Sequence, residues 1–462
     1  MRKPEVSRLG PALGATVAAV CEQVGRAGGR AWLVGGTVRD CALGLAPADA
    51  DLEVFGIEPE ALRALLEPTF ALDLVGRSFG IFKLRDCPVD VGLPRRESKS
   101  GVGHRGFEIH ADPHLPLPLA AARRDFTINA VYLDPLTGEV ADPWNGLADL
   151  AARRLRHTSE AFAEDPLRVL RGMQLASRYE LAVDPATVAA CRRMTPEGLA
   201  RERLFGEWEK LLTCGGRPSL GLGFLNDTGW LDYYPELAAL RGCPQDPRWH
   251  PEGDVWTHTG HSLDVFAGEL SGDRAEDLVV GLAVLCHDLG KPGTTETVDG
   301  RVRAYGHEGL GGDRAREFLG RLTESRALVE QVVALVHEHM RPSALHKASA
   351  SDAAIRRLAV RVGRIDRLVR VARADALGRP PLPDDGYPAG DWLLQTARRL
   401  AIETGPPAPI VLGRHLIALG LEPGPDFGRL LDLCYEAQLA GRFTDEAGGR
   451  VFAARLAHRK GG

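Results

Sequence analysis

The feature that most constrains the fold is a change of hydrophobic period along the chain. In the first part, short apolar runs with strand-like alternation are interleaved with helical stretches. The strand candidates there are 51–55, 79–84, 89–92 and 127–133. From Leu150 onward, apolar residues recur at helical spacing almost without interruption. We therefore predict the α+β fold class, with a small α/β head followed by an all-α body.

The chain has 462 residues, several times the usual domain size, which predicts more than one hydrophobic core. Eight of the 14 histidines lie between His250 and His346, and proline-rich stretches at 378–391 and 404–409 are typical of linkers. We predict four domains: a head, a helical body, a histidine-rich all-α domain and a helical C-terminal region. Their predicted boundaries are 1–155, 156–245, 246–380 and 381–462.

The charge and cysteine content narrow the class of protein. A net charge of -5 and a pI of about 6.3 exclude DNA packaging by overall positive charge, so a nucleic-acid surface has to be a local patch. The 8 cysteines are scattered without a CxxC pair, which predicts free thiols. No apolar run is long enough to cross a membrane, and Met1 to Arg30 contains no apolar signal core. We therefore predict a cytoplasmic protein with no membrane-spanning segment.

A glycine pair follows the first buried strand of the head. Ala31 to Val34 is a short apolar run, Gly35 and Gly36 come next, and a helical stretch begins at Val38. Backbone N–H groups in such a turn can approach an anion, and Arg39 lies one turn into the helix. This layout indicates a phosphate-binding loop.

Two aspartates stand at the start of the next strand. Asp49 and Asp51 are separated by one residue, so their side chains project to the same face, about 6–7 Å apart. Carboxylates at this spacing can share Mg²⁺ ions. Taken alone, each piece is more simply a glycine hairpin or a pair of solvated aspartates.

Five motifs in a fixed order favour the functional interpretation over these simpler ones. They are LVGGTVRD, DADLEVFG, RRDFTINA, DPWNG and EDPLRVLR, between Leu33 and Arg171. The series resembles that of class II tRNA nucleotidyltransferases, which comprise the CCA-adding enzymes and their bacterial poly(A) polymerase relatives. The resemblance implies a nucleotidyltransferase head that uses Mg²⁺ with CTP and ATP, and a helical body that selects nucleotides and binds RNA.

The resemblance also implies roles for single residues. Asp49 and Asp51 would hold the metal, and our candidate for a third catalytic carboxylate is Asp90 on a neighbouring strand. The predicted nucleotide-binding residues are Gly35, Gly36, Arg39, Arg123, Arg124, Asp125, Asn129, Asp165, Arg168 and Arg171. For Asp125 and Asn129, a purely structural hydrogen bond is an equal alternative.

The motif EDPLRVLR predicts how protein alone could choose a base. In a helix, Asp165, Arg168 and Arg171 would share one face. The carboxylate could accept from the amino group of cytosine or adenine while Arg168 donates to the ring nitrogen. Uracil and guanine reverse this order and would leave buried polar groups unpaired, at about 1–3 kcal/mol each. A surface helix with ion pairs is the alternative.

A second series of candidate ligands lies in the histidine-rich domain. The candidates for a divalent metal are His258, His287, Asp288, His307, His337 and Asp375. Imidazole and carboxylate ligands on successive helices can converge in the core of a bundle. The series resembles the HD superfamily of metal-dependent phosphohydrolases and leaves the identity of the metal open. We interpret His261, His339 and His346 as structural.

Together these features predict template-independent addition of CCA to the 3′ end of tRNA. A-only or CC-only tRNA nucleotidyltransferases and poly(A) polymerases share the head motifs and remain alternatives. An enzyme that is mainly an HD phosphohydrolase is the alternative from another class. In multifunctional relatives, such a domain acts as a 2′,3′-cyclic phosphodiesterase and phosphatase on damaged RNA ends. The C-terminal region, with a glycine-proline turn within 419–431, is predicted to bind tRNA, and a plain packing corner between two helices is an equal alternative for this turn.

Overall fold

The computed structural model describes residues 3–75, 81–99, 107–383 and 385–458. Its backbone forms two compact units, which we name the N-terminal unit and the C-terminal unit. The first comprises Met1–Leu211 with Leu220–Tyr233, and the second comprises Leu212–Ser219 with Tyr234–Gly462. The finer division into four domains stays a prediction.

Up to Tyr233, strands and helices alternate. The helices are α1 (Pro11–Arg26), α2 (Gly36–Ala42), α3 (Pro59–Leu66), α4 (Leu117–Ala122), α5 (Gly146–Ala151), α6 (Leu167–Arg178), α7 (Pro185–Cys191), α8 (Arg201–Thr213) and α9 (Pro218–Asp227). The strands are β1 (Arg30–Val34), β2 (Ala50–Phe55), β3 (Leu72–Val75), β4 (Ile81–Leu84), β5 (Val89–Gly92), β6 (Arg95–Lys99), β7 (Phe107–Ala111), β8 (Tyr132–Leu133), β9 (Val140–Ala141), β10 (Arg154–Leu155) and β11 (Ala182–Val183).

Seven of these strands form the main sheet, in the order β3-β4-β5-β2-β1-β8-β9. β2 runs parallel to β5 and antiparallel to β1. Apolar residues of α1 and α3, such as Val20 and Leu62, pack with the sheet in one core. The register pairs Asp51 with Val34 on β1 and with Asp90 on β5. It therefore brings two carboxylates to the end of β1, where the glycine turn begins.

Most of the strand candidates are strands in the structure. The candidates 51–55, 79–84 and 89–92 correspond to β2, β4 and β5, although residues 79 and 80 lie outside the described part. The candidate 127–133 is wrong over most of its length, because Thr127–Asn129 form a 3-10 turn and only Tyr132–Leu133 pair as β8. The Thr127 hydroxyl donates to buried Asp149 at 2.6 Å, which holds the turn inside the protein.

From Tyr234 onward, helices dominate. They are α10 (Pro235–Ala238), α11 (Val255–Ala267), α12 (Arg274–Cys286), α13 (Lys291–Thr294), α14 (His307–Leu322), α15 (Arg326–Glu338), α16 (Arg341–Lys347), α17 (Asp352–Val362), α18 (Ile365–Leu377), α19 (Pro388–Arg399), α20 (Gly413–Ala418), α21 (Asp426–Leu439) and α22 (Glu446–His458). Every residue of α12 from Asp277 to Cys286 is buried, and α11, α15 and α18 pack against this helix. Among the described residues, no helix is both long and apolar enough for a membrane crossing.

A β-hairpin corrects the prediction that the histidine-rich domain is all-α. β12 (Thr295–Val298) pairs with β13 (Arg301–Ala304) in antiparallel register. Asp299 and Gly300 connect the strands with φ values of 52° and 71°. Asp-Gly is a favoured pair for such a two-residue turn, so the sequence carried a signal for the hairpin that helical periodicity obscured.

Candidate active sites

Four aspartates of the head line one groove at the sheet: the three predicted catalytic residues Asp49, Asp51 and Asp90, and also Asp86. Asp51 and Asp90 are register partners, and Asp49 directly precedes β2. The Thr37 hydroxyl accepts from the backbone N–H of Asp51 at 3.2 Å, which ties the first turn of α2 to this strand. Lys83 reaches Asp90 at 2.9 Å and is the nearest cation to that carboxylate in the described structure.

The electrostatics of this groove fit a divalent cation. Burial raises the pKa of Asp51, the neighbouring Asp49 and Asp90 raise it further, and Arg124 and Arg171 lower it. Oxygen ligands clustered in this way are those that Mg²⁺ prefers. A bound cation would relieve the repulsion among the three carboxylates.

The glycine turn lies directly against the carboxylates. Gly35 has φ +68°, and a Cβ atom there would lie 3.2 Å from Arg124 Nη1 and 3.3 Å from Asp51 Oδ2. A side chain at this position would therefore be strained and crowded. The structure brings together the turn, the carboxylates and an arginine, as the sequence predicts.

A cavity of about 310 Å³ beside Asp51 contains the predicted arginines Arg123, Arg124 and Arg168 in its lining. Arg124 lies over the Tyr132 ring at 5.5 Å, and the Tyr132 hydroxyl donates to Glu53 at 2.6 Å. The cavity thus joins guanidinium groups to metal-binding carboxylates, which is the combination that a triphosphate with its cation requires. Glu53 and Tyr132 were not among the predicted site residues.

Arg39 does not take the predicted position. It is buried, and its Nε, Nη1 and Nη2 donate to Asp40 at 3.0 Å, Asn129 at 2.7 Å and the Tyr179 hydroxyl at 2.6 Å. All three guanidinium nitrogens thus have protein partners. Arg39 therefore supports the helix after the glycine turn and is not in the lining of this cavity, and its nucleotide-binding role stays a prediction.

Asp125 and Asn129 follow the structural alternative. Asp125 Oδ1 accepts from the Phe126 N–H at 2.7 Å and from the Asn129 amide at 3.0 Å, and Oδ2 lies 3.0 Å from Arg171 Nε. Burial opposes ionisation of Asp125, but Arg171 and these hydrogen bonds lower its pKa. The two side chains continue the buried network that begins at Arg39.

Asp165 and Arg168 do not share a helix face, because α6 begins only at Leu167. Asp165 precedes the helix, its Oδ1 accepts from the Leu167 N–H at 3.0 Å, and its Oδ2 lies 2.8 Å from Arg203. Arg168 donates to the carbonyl oxygens of Ala161 at 2.8 Å and Arg123 at 2.6 Å. Base selection by this pair therefore stays a prediction, and Arg203 is a partner that the sequence pattern did not reveal.

In the C-terminal unit, four histidines direct their Nε2 atoms toward one centre. Nε2 of His258 lies 3.3 Å from Nε2 of His287, and Nε2 of His307 lies 3.3 Å from Nε2 of His339. The Nδ1 atoms face backbone carbonyl oxygens of Gly378, Val284, Ala304 and Val336, respectively. In the neutral form of each ring, these contacts favour the proton on Nδ1, so that Nε2 is the nitrogen that can bind a metal.

Carboxylates complete two groups of three possible ligands at these Nε2 atoms, and a third possible group is His250, Glu252 and His258. Within each group, the ligand atoms lie within 4.8 Å of one another. The first group is His258, His287 and Asp375, and the second is Asp288, His307 and His339. Mixed imidazole and carboxylate donors of this kind suit divalent transition metals.

The charges of the cluster suit cation binding. Burial opposes ionisation of Asp288, but His287 and Lys291 hold its pKa well below the ordinary value. Burial also opposes the charge on His258, yet Asp375 and Glu252 raise its pKa to about 9. Burial and the neighbouring His287 lower the pKa of His339 to about 4, so that ring is neutral at pH 7.

His337 is not part of the cluster, and His339 takes the place predicted for it. His339 is 1% exposed, whereas His337 packs against Gly312 on α14, where a Cβ atom would lie 2.3 Å from its Nε2. A cavity of about 390 Å³ opens in front of the cluster. Its lining includes Asp288, His307, His339, Asp375, Lys291 and Arg379.

Comparisons with known proteins identify two family models and several relatives. Residues 31–156 match the family model of the poly A polymerase head domain, and residues 180–240 match that of the probable RNA and SrmB-binding site of polymerase A. The chain is 38% identical over 373 residues to the multifunctional CCA protein of Laribacter hongkongensis, covering 78% of this chain and 87% of that protein. It is 36% identical over 414 residues to the multifunctional CCA protein of Xanthomonas oryzae pv. oryzae, covering 87% and 95%.

Solved structures share the fold. The CCA-adding enzyme of Bacillus stearothermophilus in complex with CTP superimposes with a TM-score of 0.66 and 22% identity, over 96% of this chain and 97% of that chain. The CCA-adding enzyme of Thermotoga maritima, complexed with tRNA, gives a TM-score of 0.57 and 16% identity, over 98% and 97%. The α+β architecture predicted from the sequence is therefore confirmed.

Proposed function

Because the chain belongs to the family of multifunctional CCA proteins, within the class II CCA-adding enzymes, we propose that it adds C, C and A to the 3′ end of tRNA. The substrates are tRNA, CTP and ATP. The observation that carries the proposal is the contact of the Gly35 turn with Asp51, beside a cavity lined by arginines. The cytoplasmic location stays a prediction, and the proposal includes no oligomeric state.

The mechanism follows from these side chains. Asp49 and Asp51 would hold Mg²⁺, and Asp90, the register partner of Asp51, is the candidate for a third carboxylate. Bound Mg²⁺ would activate the RNA 3′-hydroxyl for in-line attack on the α-phosphate and neutralise charge on the departing pyrophosphate. Arg123 and Arg124 supply positive charge along the triphosphate, and the Gly35 turn lets the backbone approach it.

The test uses three tRNAs that end at the discriminator base, at C and at CC, each incubated with one labelled NTP at a time. We expect incorporation of C into the first two and of A into the third. Long A tails on any RNA would identify a poly(A) polymerase, and failure of one step would identify a CC-only or A-only enzyme. Asp51→Asn is expected to be inactive, whereas Asp73→Asn, at an exposed ion pair with Arg85, is the matched active control.

A second activity is favoured by the two groups of metal ligands in front of the cavity of about 390 Å³. We propose that the C-terminal unit hydrolyses 2′,3′-cyclic or terminal phosphates at RNA ends, with a divalent metal of unspecified identity. Such a metal would supply an activated water, and Lys291 and Arg379 would bind the phosphate. Phosphate release that persists in Asp51→Asn and is lost in His287→Ala would support this activity.

A further inference from the structure

Glu252 is a carboxylate beside the metal ligands for which the sequence indicated no role. It lies just before α11, and its side chain is 0% exposed. Its Oε1 lies 2.8 Å from Nδ1 of His258 and 2.9 Å from Nδ1 of His250. One buried oxygen thus accepts from two imidazole rings.

The contact with His258 fixes the orientation of that ring. Nδ1 of His258 also faces the carbonyl oxygen of Gly378 at 3.1 Å, so both neighbours of this nitrogen are acceptors. When the ring is neutral, its proton is therefore on Nδ1, and Nε2, which lies 3.2 Å from Asp375 and 3.3 Å from Nε2 of His287, is the nitrogen that can bind a metal. A carboxylate on the outer nitrogen also strengthens the inner nitrogen as a metal ligand.

The other oxygen of Glu252 points to the same role. Oε2 is buried and has no hydrogen-bond partner in the described part of the chain. A buried carboxylate with an unpaired oxygen is unfavourable unless positive charge compensates it. A cation held by His258 would supply that charge through the ring.

We propose that Glu252 is a positioning residue that orients His258 and raises the metal affinity of the group His258, His287 and Asp375. The inference rests on the proposed phosphohydrolase function of the C-terminal unit. It concerns one group of ligands, since Glu252 belongs to a cluster with His250 and His258 and not to the group of His307 and His339.

The test is a titration of the full chain with Co²⁺ after removal of bound metal by a chelator. All variants carry Asp51→Asn, which weakens binding of Co²⁺ by the head. The visible absorption of bound Co²⁺ reports which ligands surround it. Glu252→Ala is expected to weaken one bound Co²⁺ by up to about 100-fold, and Glu252→Gln by about 10-fold, because the amide oxygen still accepts from His258. The absorption spectrum of the remaining group should not change.

Two control variants separate positioning from general damage. Glu308 Oε2 lies 3.5 Å from Nδ1 of His307, but this side chain is 41% exposed, so Glu308→Gln should keep the wild-type Co²⁺ affinity. His250→Ala removes the other partner of Glu252 and leaves its contact with His258, so it should also keep the affinity. Co²⁺ absorption of the group of Asp288, His307 and His339 reports folding of the C-terminal unit in each variant.

The outcomes distinguish the proposals. If replacing His258 leaves the Co²⁺ absorption of the chain unchanged, the metal site itself would be overturned. Binding in the wild type with equal affinity in both Glu252 variants would overturn only the positioning role. If Glu252→Ala does not fold, the isosteric Glu252→Gln decides alone, and an unchanged affinity there would be evidence against the inference.

Discussion

At the scale of single residues, two arginines of the head differ in what their guanidinium groups contact. Arg124 lies at the cavity beside Asp51, whereas Arg39 is enclosed by Asp40, Asn129 and Tyr179. The residue type is the same in both cases. Only the packing around it decides whether the cation is available to a nucleotide.

The first prediction concerns Arg39→Met, which removes the cation closest to Asp40, at 2.9 Å. Because that pair is largely buried, we expect the free energy of unfolding in urea to fall by about 3–5 kcal/mol. Arg123→Met, at the cavity, should instead raise KM for CTP with little effect on unfolding. An Arg39→Met protein of normal stability with a raised KM would restore the phosphate-binding role predicted from the sequence.

The second prediction concerns the charge of Asp51. Its pKa is raised above 3.8, so the folded state favours the protonated form, and stability is lost as pH rises from 3.8 through the raised pKa. At pH 7 in chelator, Asp51→Asn should therefore melt at a slightly higher temperature than wild type. The same change removes a metal ligand, and we expect nucleotide incorporation to fall by about 10³-fold or more. A lower melting temperature with retained incorporation would contradict this account.

The third prediction compares two histidines that are two residues apart. His339→Ala should lose the metal bound by the group that includes Asp288 and His307, because it removes one of three ligands. His337→Ala should keep that metal, since His337 packs against Gly312. Metal content after dialysis measures both, and equal loss in the two variants would argue against the geometry of the cluster.

The same pair shows where sequence reasoning stops at this scale. Residues two apart on a helix point in nearly opposite directions, so His337 and His339 cannot both face the metals. Which of them does depends on how α15 packs against α12 and α14, and the local pattern does not contain that information. The types and order of the ligands could be predicted, but the rotation of the helix could not.

At the scale of elements, glycines fix the distances between backbones. Gly146 begins α5, and a Cβ atom there would lie 2.0 Å from the carbonyl oxygen of Thr127. Asp142 caps the same helix by accepting from the N–H groups of Gly146 and Leu147 at 2.7 and 2.9 Å. The motif DPWNG therefore supports the turn that holds Asn129 in the buried network.

The fourth prediction follows from this close approach. Gly146→Ala should lower the free energy of unfolding by about 3 kcal/mol, since the two nearest of the three contacting atoms belong to the Thr127 backbone and cannot move away easily. Gly206→Ala on α8 is the matched control, because its Cβ atom meets nothing within 4 Å. That variant should be neutral or more stable by about 0.5–1 kcal/mol. Equal effects of the two changes in urea denaturation would refute the argument.

The elements also show which patterns mislead. α6 begins at Leu167, later than the helical spacing suggests, because Pro166 precedes it and Asp165 accepts from the Leu167 N–H. The Asp165 carboxylate therefore lies before the first turn and not on the helix face. Strands β2, β4 and β5 could be predicted because each has a buried, alternating pattern. The turn at Thr127–Asn129 could not, because the bond of Thr127 to Asp149 and that of Asn129 to Arg39 join residues distant in sequence.

At the scale of the whole molecule, the two sets of ligands belong to different compact units. Asp49, Asp51 and Asp90 lie in the N-terminal unit, and the histidine cluster lies in the C-terminal unit. The order of the two functions along the chain could be predicted, because the order of the motifs is given by the sequence and does not depend on packing. The two proposed activities are linked through the RNA, because the phosphohydrolase produces a free 3′-hydroxyl and the nucleotidyltransferase consumes it.

The fifth prediction uses a tRNA that ends in CC with a 2′,3′-cyclic phosphate and therefore has no free 3′-hydroxyl. His287→Ala should fail to add A to this RNA but should extend tRNA with a free CC end, whereas Asp51→Asn should release phosphate without adding A. Mixing the two variants should restore addition, because each supplies the step that the other lacks; gel electrophoresis of labelled RNA measures it. If the mixture stays inactive while each variant keeps its own activity, the RNA must pass between both units of one chain without release.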